Sequence, residues 1–214
     1  MRKIILNVAV SLDGFIEGPN GEFDWCFVDQ DYGMKAFMER IDTIFFGRKS
    51  YELVQQMGKN PFPGKTKYVF SGTLKKKQSD IKIINRDFES VTENIKKQQG
   101  KDIWLFGGSE LITGFTNAGL VDALHLAVHP IILGEGKPLF NGVKERQYFD
   151  LINTQTYSSG IVQLFYQRFI GGDHDLNFCF MVTDFTFGCI CIPSEFCYSH
   201  GAPIPSQRFC QSTK

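Results

Sequence analysis

Cysteine is nearly absent from the first four-fifths of this 214-residue chain: Cys26 stands alone there, while Cys179, Cys189, Cys191, Cys197 and Cys210 all fall after position 170. A disulfide framework is excluded for the larger part, and a disulfide-built tail conflicts with the cytoplasmic compartment expected of this chain. No sign of charge dominates, because Lys+Arg and Asp+Glu both number 23. Nothing therefore draws nucleic acid or an anionic membrane surface, and neither is expected as a partner. No apolar run is long enough to cross a bilayer. Met1-Arg2-Lys3 leads only into a short apolar stretch without the long core and small-residue cleavage site of a secretion signal, so the cytoplasm is the expected compartment. Lysine and glutamate also run out, with only Glu195 and Lys214 after Arg168. That shift in composition places a boundary near Phe169 to Asp173. Residues 1–170 are expected to form one domain, and 171–214 a Cys/Phe-rich extension.

Aromatic residues are plentiful, with 21 Phe, which suits a well-filled core. The strongest local pattern is Ile103-Trp104-Leu105-Phe106-Gly107-Gly108-Ser109-Glu110-Leu111. Four apolar residues, fit for a strand buried on both faces, run into a Gly pair and then a helical pattern. Such a junction offers unpaired N–H groups and the positive end of a helix dipole, a seat for phosphate; a tight turn alone would also use the glycines. A second junction of this type is Thr43 to Gly47 followed by Arg48-Lys49-Ser50, with Tyr51 to Met57 reading as helix. Cations at a helix N-terminus oppose the dipole unless an anion sits there. A third strand, Lys67 to Thr73, ends in hydroxyls.

Other elements follow the same logic. Lys3 to Val10 is a central strand opening into the acid-bearing loop Ser11 to Gly21, in which Asp13 suits either function or a side-chain turn cap. Tyr32 to Ile41 carries a helical stripe, and Ile81 to Asn85 is a strand. Ser90-Val91-Thr92-Glu93 reads as a capping box opening a helix that ends at Gly100. The helix after the Gly pair is expected to run to about Ala118. Leu120 to His129 alternates as a strand, and Phe149 to Tyr157 with Ile161 to Phe169 form a hairpin about Ser158-Ser159-Gly160. The tally is about eight strands and four helices. Strand–helix alternation predicts a mostly parallel mixed sheet, flanked by helices in three α/β layers, with a C-terminal antiparallel hairpin. Ligands of such sheets bind off the carboxyl ends of the strands, where three phosphate-suited corners would gather.

These residues resemble the dihydrofolate reductase-like fold over residues 1 to about 170. More closely, they resemble bacterial reductases related to the C-terminal domain of the riboflavin-biosynthesis deaminase–reductase. The matching segments are Ser11-Leu12-Asp13-Gly14, Gly47-Arg48-Lys49-Ser50-Tyr51-Glu52, Val69-Phe70-Ser71, Gly107-Gly108-Ser109-Glu110-Leu111 and His129-Pro130-Ile131-Ile132-Leu133-Gly134-Glu135-Gly136. The resemblance implies NADPH as cofactor. Gly107, Gly108, Ser109, Glu110 and Leu111 would hold its pyrophosphate. Gly47, Arg48, Lys49 and Ser50 would take phosphate on the adenosine side, Ser71 the ribose phosphate, and Ala9 completes the cofactor set. Phe106 stands where the riboflavin-pathway reductases usually carry Glu. The buried acid that supports pterin protonation in dihydrofolate reductases has Asp29, Asp31 and Glu39 as candidates here.

The function so implied is hydride transfer from NADPH to a small planar heterocycle, a pteridine or a ribosylaminopyrimidine-like substrate. Asp13 is the expected catalytic residue, holding or polarising the substrate, with Trp25 or Phe27 stacking on its ring. No metal is expected in this chemistry. A non-catalytic nucleotide-binding protein on the same fold is the alternative. Cys26 is read as a packed small hydrophobe rather than a reactive thiol. The tail cysteines with His200 match no common zinc spacing, and the extension is read as dispensable to the core. An open edge strand near Ile161 to Phe169 makes a homodimer the expected assembly.

Overall fold

In the computed structural model of the protein, residues 1–58, 60–74, 81–169 and 171 are described. All fall in Met1–His174, the first of the two units into which the chain divides. The tail cysteines and the zinc reading lie outside the described residues.

The elements in chain order are β1 (Ile4–Ser11), β2 (Phe15–Glu17), α1 (Met34–Arg40), β3 (Ile41–Gly47), α2 (Arg48–Gln56), β4 (Thr66–Phe70) and β5 (Ile81–Ile84). They continue with α3 (Phe88–Lys97), β6 (Asp102–Gly107), α4 (Ser109–Asn117), β7 (Ala123–His129), β8 (Lys137–Pro138), β9 (Phe149–Thr156) and β10 (Val162–Arg168). Eight strands form one sheet in the order β5-β4-β3-β6-β1-β7-β10-β9, and β2 pairs with β8 apart from it. From β5 to β7 every pairing is parallel; β10 joins β7, and β9 joins β10, antiparallel. The mixed, mostly parallel sheet closing in a hairpin is the architecture the sequence predicts.

Alternation along the strands divides the core between two faces. Ile4 and Leu6 of β1 pack with Ile103 and Leu105 of β6, Ile95 of α3, and Ile112 and Phe115 of α4. Ile5 packs on the other face with Trp104, Phe37 of α1, and Tyr51 and Val54 of α2. A strand covered by helices on both sides needs apolar residues at every position, and β6 supplies them in Ile103, Trp104 and Leu105, each at most 5% exposed.

Two expectations are corrected. The capping box at Ser90 does not open α3, which begins at Phe88 behind Asp87, a residue with φ 49° and no side-chain capping bond. Phe88 packs its ring against Phe115, 5.6 Å between centroids, and this contact carries the helix start a turn earlier than the polar signal indicates. The open edge is also not at Ile161 to Phe169. β10 lies inside the sheet, and β9 is its edge, exposed nearly throughout.

Candidate active site

Three helix N-termini meet at the carboxyl ends of β3, β5 and β6. They belong to α2, α3 and α4, and none carries a side-chain capping bond. Their free N–H groups border one cavity of about 680 Å³, lined among others by Gly47, Arg48, Lys49, Ser50, Ser71, Arg86, Asp87 and Gly108. α2 begins at Arg48 itself, earlier than its apolar pattern suggests, so two cations and no acid stand in its first turn. Unsatisfied donors and first-turn cations together describe a site for a polyanion.

The corners are packed into one another. A Cβ on Gly47 would meet Gly107 O and Gly108 N, both at 3.3 Å, and one on Gly108 would meet Ser50 Oγ at 3.2 Å. Gly47 and Gly108 therefore let two strand-to-helix turns touch through backbone. Gly107 has φ 116°, and its peptide bond to Gly108 is cis. Arg48 is engaged by Glu52 of its own helix at 2.8 Å, while Lys49 and Arg86 pair with no described residue. Sequence reasoning misses Arg86, because it follows a short strand in a segment with no glycine or hydroxyl signal. Ser71 Oγ accepts from Thr73 N and Leu74 N at 3.2 and 3.0 Å, shaping its own turn.

Of the other expected cofactor residues, Glu110 and Leu111 line the cavity, whereas Gly107, Ser109 and Ala9 do not. Ser109 is buried and donates to Pro138 O at 3.3 Å. Ala9 sits in mid-sheet, in register with Ala127 of β7.

A second cavity, about 250 Å³, opens on the α1 face between that helix, β1, β7 and the closing hairpin. Burial lapses at Asn7 to Ala9 of β1 and at His125 to Val128 of β7, at the same level of two neighbouring strands. Asn7 and His125 are register partners on its floor, with Phe37 and Phe165 as walls and Arg40 at the rim. Burial first, then the Arg40 charge, pushes the His125 imidazole down to about 4 against the opposing pull of Asp102, so it is neutral near pH 7. Gln163 straps the hairpin to the entry of α1: its Nε2 donates to Tyr32 O at 2.6 Å and its Oε1 accepts from Tyr157 OH at 3.1 Å. No carboxylate lines this cavity among the described residues. Asp29 accepts from Tyr32 OH, Asp31 from Lys35 N, and Glu39 is exposed, so none of the three acids takes the place of a buried proton donor.

Asp13, Trp25 and Phe27 line neither cavity. Asp13 accepts from Ser11 Oγ at 2.6 Å, from Leu133 N and from Gly134 N. The Ser11 hydroxyl, the largest influence, together with those two amides lowers its pKa against the opposing effect of desolvation. The geometry makes it a tie between the exit of β1 and the loop after β7. Trp25 and Phe27 both set their rings edge-on to His129, at 5.3 and 5.4 Å. His129, 3% exposed, accepts from Phe27 N at Nε2, which leaves Nδ1 to donate to Ala127 O at 3.0 Å. His129 thus anchors the loop on the sheet, a role that its place in an alternating strand does not signal. The Cys26 thiol is pushed up to about 11, by burial and then by Asp24, and stays protonated.

YyaP of Bacillus subtilis (strain 168) is 49% identical over 177 residues, covering 77% of this chain and 94% of that protein. YwjB of the same organism is 34% identical, covering 78% of this chain and 98% of its own. Among solved structures, a Shewanella sp. PV-4 protein assigned to riboflavin biosynthesis superposes with a TM-score of 0.70 at 25% identity, covering 78% of this chain and 99% of that one. The diaminohydroxyphosphoribosylaminopyrimidine deaminase/5-amino-6-(5-phosphoribosylamino)uracil reductase of Thermotoga maritima shares the fold with a TM-score of 0.64 at 14% identity, over 78% of this chain and 56% of its own. Residues 2–163 match the RibD C-terminal domain, and the chain belongs to that family.

Proposed function

We propose that the protein is an NADPH-dependent reductase that delivers hydride to a small planar heterocycle, a pteridine or a ribosylaminopyrimidine-like compound. The observation that carries this reading is the convergence of three uncapped helix N-termini with Arg48, Lys49 and Arg86 on one cavity large enough for a dinucleotide. Donors of that kind fit several phosphates, and Lys49 and Arg86, at the β3 and β5 ends and paired with no described residue, fit a 2′-phosphate. Bound there, NADPH would supply hydride to an electrophilic ring carbon, while the adjacent ring nitrogen takes a proton from water and NADP⁺ remains. The chain's own part is to seat the phosphates, orient the two rings and exclude water. The register of β6 on β1 pairs Leu105 with Leu6, the residue before Asn7 of the second cavity, and this adjacency supports the acceptor binding there.

Removing a charge-assisted contact weakens binding by roughly tenfold or more. Arg86→Ala and Arg48→Ala should therefore weaken NADPH by that factor and leave NADH little changed, read by titration calorimetry. Equal losses for both nucleotides would sink the 2′-phosphate assignment. The alternative of a non-catalytic nucleotide-binding protein is favoured by one observation, the lack of a carboxylate around the second cavity among the described residues. NADPH oxidation with any member of a panel of pteridines, aminopyrimidines and quinones would exclude it. The exposed edge strand β9, with Leu151 and Ile152 53% and 62% exposed, supports a homodimer.

A further inference from the structure

Three of the polar side chains around the second cavity are already committed. Gln163 bonds Tyr32 and Tyr157, Arg40 pairs with Asp102 at 2.7 Å, and the Tyr32 hydroxyl donates to Asp29. On the floor the situation differs. The Asn7 carboxamide and both ring nitrogens of His125 hydrogen-bond to no described residue, although both side chains are half-buried. As register partners on one face, the two side chains present their donors and acceptors side by side to whatever enters the cavity, a ligand or its water. Asn7 is held in place by its backbone, whose carbonyl accepts from Trp104 Nε1 at 3.0 Å. His125 is held by ring edges, Phe165 at 4.8 Å and Phe37 at 5.7 Å between centroids.

The charge of a fitting ligand follows from the lining. A cation would find no carboxylate among the described residues, and an anion would find only Arg40, already engaged by Asp102. A carboxamide offers one acceptor and one donor edge in a plane, the complement of a lactam N–H and C=O taken together. The neighbouring neutral imidazole adds one donor and one acceptor. At about 250 Å³ the space admits a molecule of one or two rings rather than a nucleotide.

We infer that Asn7 and His125 together bind an uncharged, lactam-bearing planar ring and set the protein's choice of acceptor against cationic rings. The inference rests on the reductase reading for its account of what happens to that ring, but the binding stands apart from turnover. Two probes of equal size test it on the full chain: 2-quinolinone, a neutral lactam, and 4-aminoquinoline, a cation at neutral pH. With NADPH saturating, 2-quinolinone should bind about tenfold or more tightly than 4-aminoquinoline and move the His125 ring resonances in NMR spectra. Asn7→Leu and His125→Phe should each lower 2-quinolinone affinity about tenfold while NADPH affinity holds. Equal or tighter binding of the cation, unmoved His125 resonances, or unchanged 2-quinolinone affinity in both variants would each overturn the inference. NADPH titration of the same samples reads the other cavity separately. Loss there with intact 2-quinolinone binding would reject the reductase reading and leave this one standing.

Discussion

At the scale of single residues, position in the hydrogen-bond network separates anchors from ligand-facing groups. Asp13 is the natural candidate for chemistry, an acid in a loop at a strand end. Its carboxylate instead accepts from Ser11 Oγ and from two backbone amides across the loop after β7. Those bonds favour the charged form, so the folded-state pKa lies below the ordinary 3.8. The stabilisation is accordingly full above the unfolded value and disappears as pH falls through the lower, folded one. The amide resonance of Gly134 should titrate with a midpoint below 3.8 in the wild type and lose that titration in Asp13→Ala, which should also show faster hydrogen exchange at Leu133 and Gly134. A midpoint at or above the ordinary carboxylate value would contradict the tie. Asn7 and His125 are the opposite case, half-buried with side chains that hydrogen-bond to no described residue, and no sequence pattern marks them. His125 reads as solvent-facing in its alternating strand and Asn7 as one polar residue in an apolar run, and only the placement of α1 over this face turns them into a cavity floor.

At the scale of elements, the decisive contact is between two turns. β3 and β6 are neighbours, and their last paired residues are Phe46 and Gly107. The backbone of Gly47, at φ −72°, would accept alanine without strain; the obstacles are Gly107 O and Gly108 N at 3.3 Å. Both obstacles are backbone, so relief requires the α2 and α4 termini to part. Gly47→Ala should lower stability by about 1–3 kcal/mol through this overpacking and weaken NADPH as the termini separate. Gly72→Ala, in the same cavity but with nothing within 4 Å of the new Cβ, should leave the melting temperature unchanged. Comparable melting temperatures for the two variants would show that the turns do not depend on each other. This coupling explains which features are legible in the sequence. Strands buried on both faces, such as β1 and β6, announce themselves as mostly apolar runs, and the Gly pair and the Gly47 corner are visible as local motifs. The start of α3 is not, because it depends on Phe88 meeting Phe115, a residue from another helix. Nor is Arg86, whose relevance comes only from the position of β5 beside β4.

At the scale of the whole molecule, the described core closes on itself before the cysteine-rich stretch begins. The largest fully buried side chains run from Ile4 to Ile161, and the match to the RibD C-terminal domain ends at residue 163. YyaP is aligned over 94% of its own length while covering 77% of this chain, so a relative of high identity has little counterpart to the remaining quarter of the sequence. The last strand is tied inward: Arg168 N donates to Asp122 O and Phe169 N to Tyr148 O, at 2.8 and 3.0 Å. Neither cavity draws a described lining residue from beyond Phe165. A chain ending at His174, the boundary between the two units, should thus fold with the melting temperature of the full chain and bind NADPH and 2-quinolinone with unchanged affinity. Differential scanning calorimetry and titration on matched samples measure both. A truncated chain that fails to fold, or full-length protein that carries zinc in stoichiometric amount and loses stability to a chelator, would show instead that the tail is part of the working protein.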